Sequence, residues 1–95
     1  MEILKSVENG KAVLTPVGRL DTTTSPELEQ VLTELLPGLT ELTMDFAQLE
    51  YISSAGLRVL LMAVTETGRV MVLNASEAVK EIFETTGFNQ MIEVR

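Results

Sequence analysis

Tyr51-Ile52-Ser53-Ser54-Ala55-Gly56-Leu57-Arg58-Val59-Leu60-Leu61 changes chemical character at its middle. Two small hydroxyl residues precede a segment in which Leu57, Leu60, Leu61 and Val64 recur at helical spacing, and Gly68 then supplies the residue type that ends helices. The segment reads as a helix entered through Ser53-Ser54, with one apolar face turned to a core. Upstream, Leu42, Met44 and Phe46 alternate with Thr43 and Asp45, the period of a strand buried on one side. A short loop then joins the carboxyl end of that strand to the helix, a unit of α/β architecture.

Outward from this unit the pattern continues in both directions. Ile3-Leu4-Lys5-Ser6-Val7 and Ala12 to Thr15 flank Asn9-Gly10, a dipeptide suited to the positive φ values of a two-residue hairpin turn. Pro16 lacks an amide hydrogen and is expected to mark a bulge, an edge or the strand's end near Gly18. In Asp21-Thr22-Thr23-Thr24-Ser25-Pro26-Glu27, Ser25 suits a helix cap, Pro26 the first helical position and Glu27 the positive end of the helix dipole. Leu28, Val31, Leu32 and Leu35 form that helix's apolar stripe, ended by Pro37-Gly38. Val70-Met71-Val72-Leu73 is continuously apolar, which predicts a strand buried on both faces. Ser76-Glu77 opens a third helix carrying Val79, Ile82 and Phe83 and closed by Gly87, and Met91 to Val94 form a last strand. The predicted fold is α/β, a mixed sheet of about five strands with an N-terminal hairpin and three main helices, over residues 1–95 as one domain.

Composition narrows the chemistry. No apolar run approaches the roughly 20 residues needed to cross a bilayer, and neither end of the sequence carries an export signal, so no membrane insertion and a cytoplasmic location are expected. There is no cysteine and no histidine, which removes disulfides, thiolate nucleophiles, the usual zinc sites and the commonest general base. The expectation is a protein that is not an enzyme and holds no metal or cofactor. Fourteen acidic against seven basic residues give a net charge of −7, and such a surface repels nucleic acid.

Serine before a helix is first of all a capping residue, and Ser53 and Ser54 fit that role. The same position suits a phosphoryl acceptor. Open α/β sheets carry their sites at the carboxyl ends of strands, and a helix's first amides and dipole stabilise an added phosphate by ~0.3–1 kcal/mol. Ala55 and Gly56 leave little bulk beside the hydroxyl. A serine hydrolase is excluded by the absent histidine and the absent glycine-x-serine-x-glycine elbow.

Three stretches in order resemble the sulfate transporter and anti-sigma antagonist (STAS) family. Gly18-Arg19-Leu20-Asp21 is similar to the family's glycine-x-leucine-aspartate after its second strand. Tyr51 to Leu61 is similar to its phosphorylation segment, and Asn74 to Phe83 with Thr86-Gly87-Phe88 to its last helix and the turn beyond. The resemblance implies an anti-sigma factor antagonist. Such a protein binds an anti-sigma factor that is also a serine protein kinase while unphosphorylated, is released on phosphorylation, and is reset by a serine phosphatase. In the family's commonest motif, aspartate-serine-serine-glycine-leucine, the first serine accepts the phosphate; aligned through Gly56 and Leu57 it falls on Ser54. Ser53 stands in place of the motif's aspartate and is the second candidate acceptor, and Ala55 replaces the second serine. The partner-binding surface implied comprises Asp21 and Thr22, in a loop the resemblance places near Ser54, with Ser53, Ala55, Gly56 and Arg58. Asp21 reads equally as a turn or capping residue, and Arg58, one turn beyond Ser54, either reaches a phosphate or is a solvated surface residue. The alternative is a STAS module that is never phosphorylated and docks statically, as a subunit of a membrane transport complex.

Overall fold

The computed structural model describes residues 1–95. Strands β1 (Glu2–Glu8) and β2 (Lys11–Leu20) form the expected hairpin, with Asn9 and Gly10 both at positive φ, 52° and 77°. There follow α1 (Ser25–Leu35), a single 3-10 turn at Leu36–Gly38, β3 (Glu41–Asp45), β4 (Leu49–Ile52) and α2 (Ser54–Thr67). The chain ends with β5 (Val70–Leu73), α3 (Glu77–Thr86) and β6 (Glu93–Val94). The sheet runs β1-β2-β3-β5-β6, with β4 attached to the far end of β2. Only β1 and β2 are antiparallel; every other pairing is parallel.

The sixth strand, β4, occupies what reads in the sequence as a loop. Its ends, Leu49 and Ile52, are buried while Glu50 and Tyr51 between them are exposed, so it shows neither alternation nor an apolar run. Pairing with a strand distant in sequence makes it extended. Strand β2 also does not end near Gly18. Lys11 to Leu14 pair with β3, Gly18 to Leu20 pair with β4, and Pro16 lies between, where β2 has no parallel partner. Gly18, at φ 106°, sits at the register shift that redirects the strand, so a bulge does occur but the strand passes through it.

One face of the sheet is covered by the helices and carries the core. Ala12, Leu14, Leu42, Met44, Val70 and Val72 point into it and pack with Leu28, Leu32, Leu57, Leu60, Ala63, Val79 and Phe83. The other face is open, and there Met71 and Leu73 are only half-buried, against the expectation that β5 is buried on both sides. Leu61 is likewise not a core residue: α2 buries Leu57, Val59, Leu60 and Ala63 and leaves Leu61 42% exposed. Ser25 is not the cap of α1. It is the first helical residue, 2% exposed, and its hydroxyl has no hydrogen-bond partner. The other caps are as expected: Ser76 accepts from the Val79 amide at 3.2 Å, and Gly68 and Gly87 close α2 and α3 in the left-handed conformation.

The amino end of α2 lies against the sheet at Gly56. A Cβ there would stand 2.7 Å from Ile52 Cγ1 and 3.1 Å from Leu20 Cβ, so only glycine allows this approach. Gly56→Ala gains roughly 1 kcal/mol of helix propensity and loses about 1–3 kcal/mol to overpacking. The expected outcome is a net destabilisation of about 1 kcal/mol in urea unfolding, with the midpoint falling and the slope unchanged.

Candidate functional site

The parallel pairing of β2 with β4 ends both strands at one level, with Leu20 opposite Ile52. The Ser53 amide donates to the Leu20 carbonyl at 2.8 Å, so the chain leaving β2 at Asp21 and the chain entering α2 at Ser53 are tied together. This is the carboxyl end of the parallel strands, where α/β sheets present their sites.

The two serines have different duties. Ser53 is the cap: its backbone is extended (φ −96°, ψ 176°), its hydroxyl oxygen accepts from the Gly56 amide at 3.4 Å, and its carbonyl accepts from the Leu57 amide at 2.9 Å. Ser54 is the first helical residue. It is exposed, and its hydroxyl takes no part in the capping. The positive end of α2 therefore carries one committed hydroxyl and one free one.

Asp21 organises the neighbouring loop. One carboxylate oxygen, Oδ1, accepts from the Thr23 hydroxyl at 2.7 Å and from the Thr23 and Thr24 amides at 3.0 and 3.1 Å. The Asp21 amide in turn donates to the Thr24 hydroxyl oxygen at 2.9 Å, and the Ser25 amide to the Asp21 carbonyl at 2.9 Å. This turn leads into α1, which has no side-chain cap: the Glu27 amide is taken by the Thr24 carbonyl at 3.0 Å. The Thr23 hydroxyl first, then the Thr24 and Thr23 amides, favour the charged carboxylate and hold Asp21 at a pKa of about 2, against a mild opposing effect of burial.

The remaining expected site residues divide by exposure. Thr22 and Arg58 are exposed and Ala55 is half-buried, all within reach of solvent around Ser54, whereas Gly56 is buried and acts through packing alone. Two features escape a reading of the sequence. Leu61 continues the line of Ser54 and Arg58 along the outer face of α2, at the i, i+4, i+7 spacing that puts residues on one stripe. Arg19 stacks over the Tyr51 ring at 4.7 Å from its centroid, across the β2–β4 pair and beside Asp21, and both side chains are exposed. The spacing of Leu61 from Ser54 was the available signal; the Arg19–Tyr51 contact had none, because it depends on the unread strand. No group of three acidic, histidine or cysteine side chains could hold a metal ion, and no helix is long and apolar enough to cross a membrane.

A family model described as Mlab, STAS domain, matches residues 5–93. A curated relative from Bordetella bronchiseptica, BtrV, carries an anti-sigma factor antagonist designation and is 26% identical over 99 residues, covering 99% of this chain and 85% of that protein. Two solved structures of SpoIIAA superpose closely. The anti-sigma factor antagonist in its unphosphorylated form matches with a TM-score of 0.86 at 19% identity, over 99% of this chain and 88% of its own. The Bacillus protein in its phosphorylated form matches with a TM-score of 0.77 at 18% identity, over 99% and 91%. At these identities the superpositions establish the fold.

The depressed pKa of Asp21 fixes how its loop responds to acid. A carboxyl that titrates at about 2 when folded and near 4 when unfolded stabilises the fold above pH ~4, and that contribution is lost as pH falls toward 2. Asp21→Ala is therefore expected to be less stable than the parent chain at pH 7, with the two urea midpoints converging below about pH 2. A gap that stays constant across that range would show that Asp21 acts through something other than its charge.

Proposed function

The chain belongs to the STAS domain family, and from that premise we propose that it is an anti-sigma factor antagonist working by partner switching. Unmodified, it binds an anti-sigma factor that is also a serine protein kinase, through the face formed by Thr22, Ser53, Ser54, Ala55 and Arg58, with the Asp21 turn holding Thr22 in place. Phosphorylation of Ser54 ends the complex, and a serine phosphatase restores it. The observation that carries this reading is the exposed, uncommitted hydroxyl of Ser54 at the start of α2. The designation of BtrV and the existence of SpoIIAA in both phosphorylated and unphosphorylated forms support it.

The chemistry assigns the protein the part of substrate and ligand. A serine hydroxyl does not ionise appreciably at neutral pH, and the kinase supplies ATP, magnesium and the base. Ser54 is preferred to Ser53 because the Ser53 oxygen already caps α2, and modifying it would cost that bond. A phosphate on Ser54 adds about −1.5 to −2 charges at the helix's positive end, where the fold tolerates them, but in the middle of a docking face that must shed water to bind. Binding is lost while folding is kept. Residues 1–95 act here as one docking domain, in the cytoplasm where such a kinase works.

The cognate kinase with ATP, followed by peptide mapping by mass, is expected to place phosphate on Ser54. Ser54→Ala is expected to take up none and to bind the kinase constitutively, and Ser54→Asp to fold normally and bind at least tenfold more weakly, ~1.4 kcal/mol or more. Undiminished phosphate uptake by Ser54→Ala would overturn the site. A chain that is never phosphorylated, yet docks, would favour the static subunit instead.

A further inference from the structure

The chain has four arginines, Arg19, Arg58, Arg69 and Arg95. Three of them are engaged: Arg19 lies over the Tyr51 ring, Arg69 pairs with Glu41 at 3.5 Å, and Arg95 pairs with Glu93. Arg58 takes part in no ion pair, although fourteen acidic residues share this small domain. Even Glu29 of α1, which lines the same surface cleft, does not hold it. Arg58 stands four residues after Ser54 on α2, and both residues are exposed. Residues so spaced have Cβ atoms about 6 Å apart, and an anion four residues ahead of a cation is the favoured polarity for a pair along a helix. A serine hydroxyl offers the guanidinium nothing that water does not. A phosphate offers three acceptor oxygens and about 1.5–2 negative charges, and the planar guanidinium fork takes two of those oxygens at once.

We propose that Arg58 is left unpaired for the phosphate of Ser54, and that the modified serine and Arg58 close into a bidentate clasp along the outer face of α2. The clasp changes the docking face twice at one place. It adds an anion, and it takes the one unengaged arginine out of a partner's reach. An acidic group of the partner that would meet Arg58 in the unmodified chain meets a filled guanidinium beside excess negative charge instead. Glu29 is the competing anion, with a single charge against the phosphate's ~1.5–2 and a position on a different helix. Arg58 is thus a positioning residue for the modified state, with no bond to lose when the phosphate arrives.

This deepens the proposed switch and rests on Ser54 as its acceptor. Phosphoserine is therefore installed at position 54 during translation of the full chain, so the clasp is tested on a protein whose phosphorylation does not depend on a kinase. Whether the kinase chooses Ser54 is read by peptide mapping, and the two claims stand or fall separately. Phenylglyoxal modification followed by mass mapping reads the reactivity of each arginine. Arg58 is expected to react at least about threefold more slowly in the phosphorylated chain, with Arg69 and Arg95 unchanged as internal references. Urea unfolding with and without the phosphate, in the parent chain and in Arg58→Gln, measures the pair itself. Phosphate is expected to shift the folding equilibrium toward the native state about twofold to fivefold more in the parent than in Arg58→Gln. Arg58→Lys is expected to fall between the two, because it keeps the charge and loses the fork, and Arg19→Gln to match the parent. Unchanged Arg58 reactivity, an equal phosphate effect in the parent and Arg58→Gln, or an effect lost in Arg19→Gln would each overturn the proposal.

Discussion

Three residues of β2, Gly18 to Leu20, paired in parallel with β4 hold the functional end of this protein together. Without that short ladder, the turn at Asp21 and the start of α2 would be two unrelated surface loops. With it, the Ser53 amide bonds the Leu20 carbonyl and the two segments share one edge. The ladder in turn requires β2 to change neighbours, which the bulge at Gly18 makes possible, and requires α2 to approach closely, which the bare Gly56 permits. Two glycines thus set the relative positions of the Asp21 turn and the start of α2.

Around that edge the polar groups are sorted by what they already do. Asp21 saturates the amides of its own turn, and Ser53 satisfies the amide of Gly56. These bonds belong to folding. Ser54, Arg58 and Leu61 on α2, with Thr22 alongside, make no such commitment and face outward. A surface built this way can gain negative charge at Ser54 without losing a cap, because the hydroxyl proposed for modification is not one the helix depends on. The −7 net charge of the chain sharpens the effect, since Arg58 is the cation nearest in sequence to the new charge.

Much of this was legible from residue order alone. Elements marked by local chemistry came through: the Asn9-Gly10 hairpin, the three apolar helical stripes, and the Gly68 and Gly87 stops all depend on neighbours within one turn. What stayed hidden depends on contacts between distant residues. Strand β4 is extended because β2 lies beside it, and Ser25, instead of capping α1, is its first residue, buried without a bond. Leu61 looked like core because a helical stripe read from sequence has no sharp edge, and only the fit of α2 to the sheet decides which leucine falls outside it.

Charge at Ser54 is held to redirect binding while the domain stays intact, and the amide NMR spectrum of the quantitatively phosphorylated chain tests this against the unmodified one. Shifts confined to the Asp21 turn, the end of β4 and the first two turns of α2, with amide exchange in β3 and β5 unchanged, are the expected result. Shifts or faster exchange spreading through the central strands would contradict it, because phosphate would then be acting by loosening the fold.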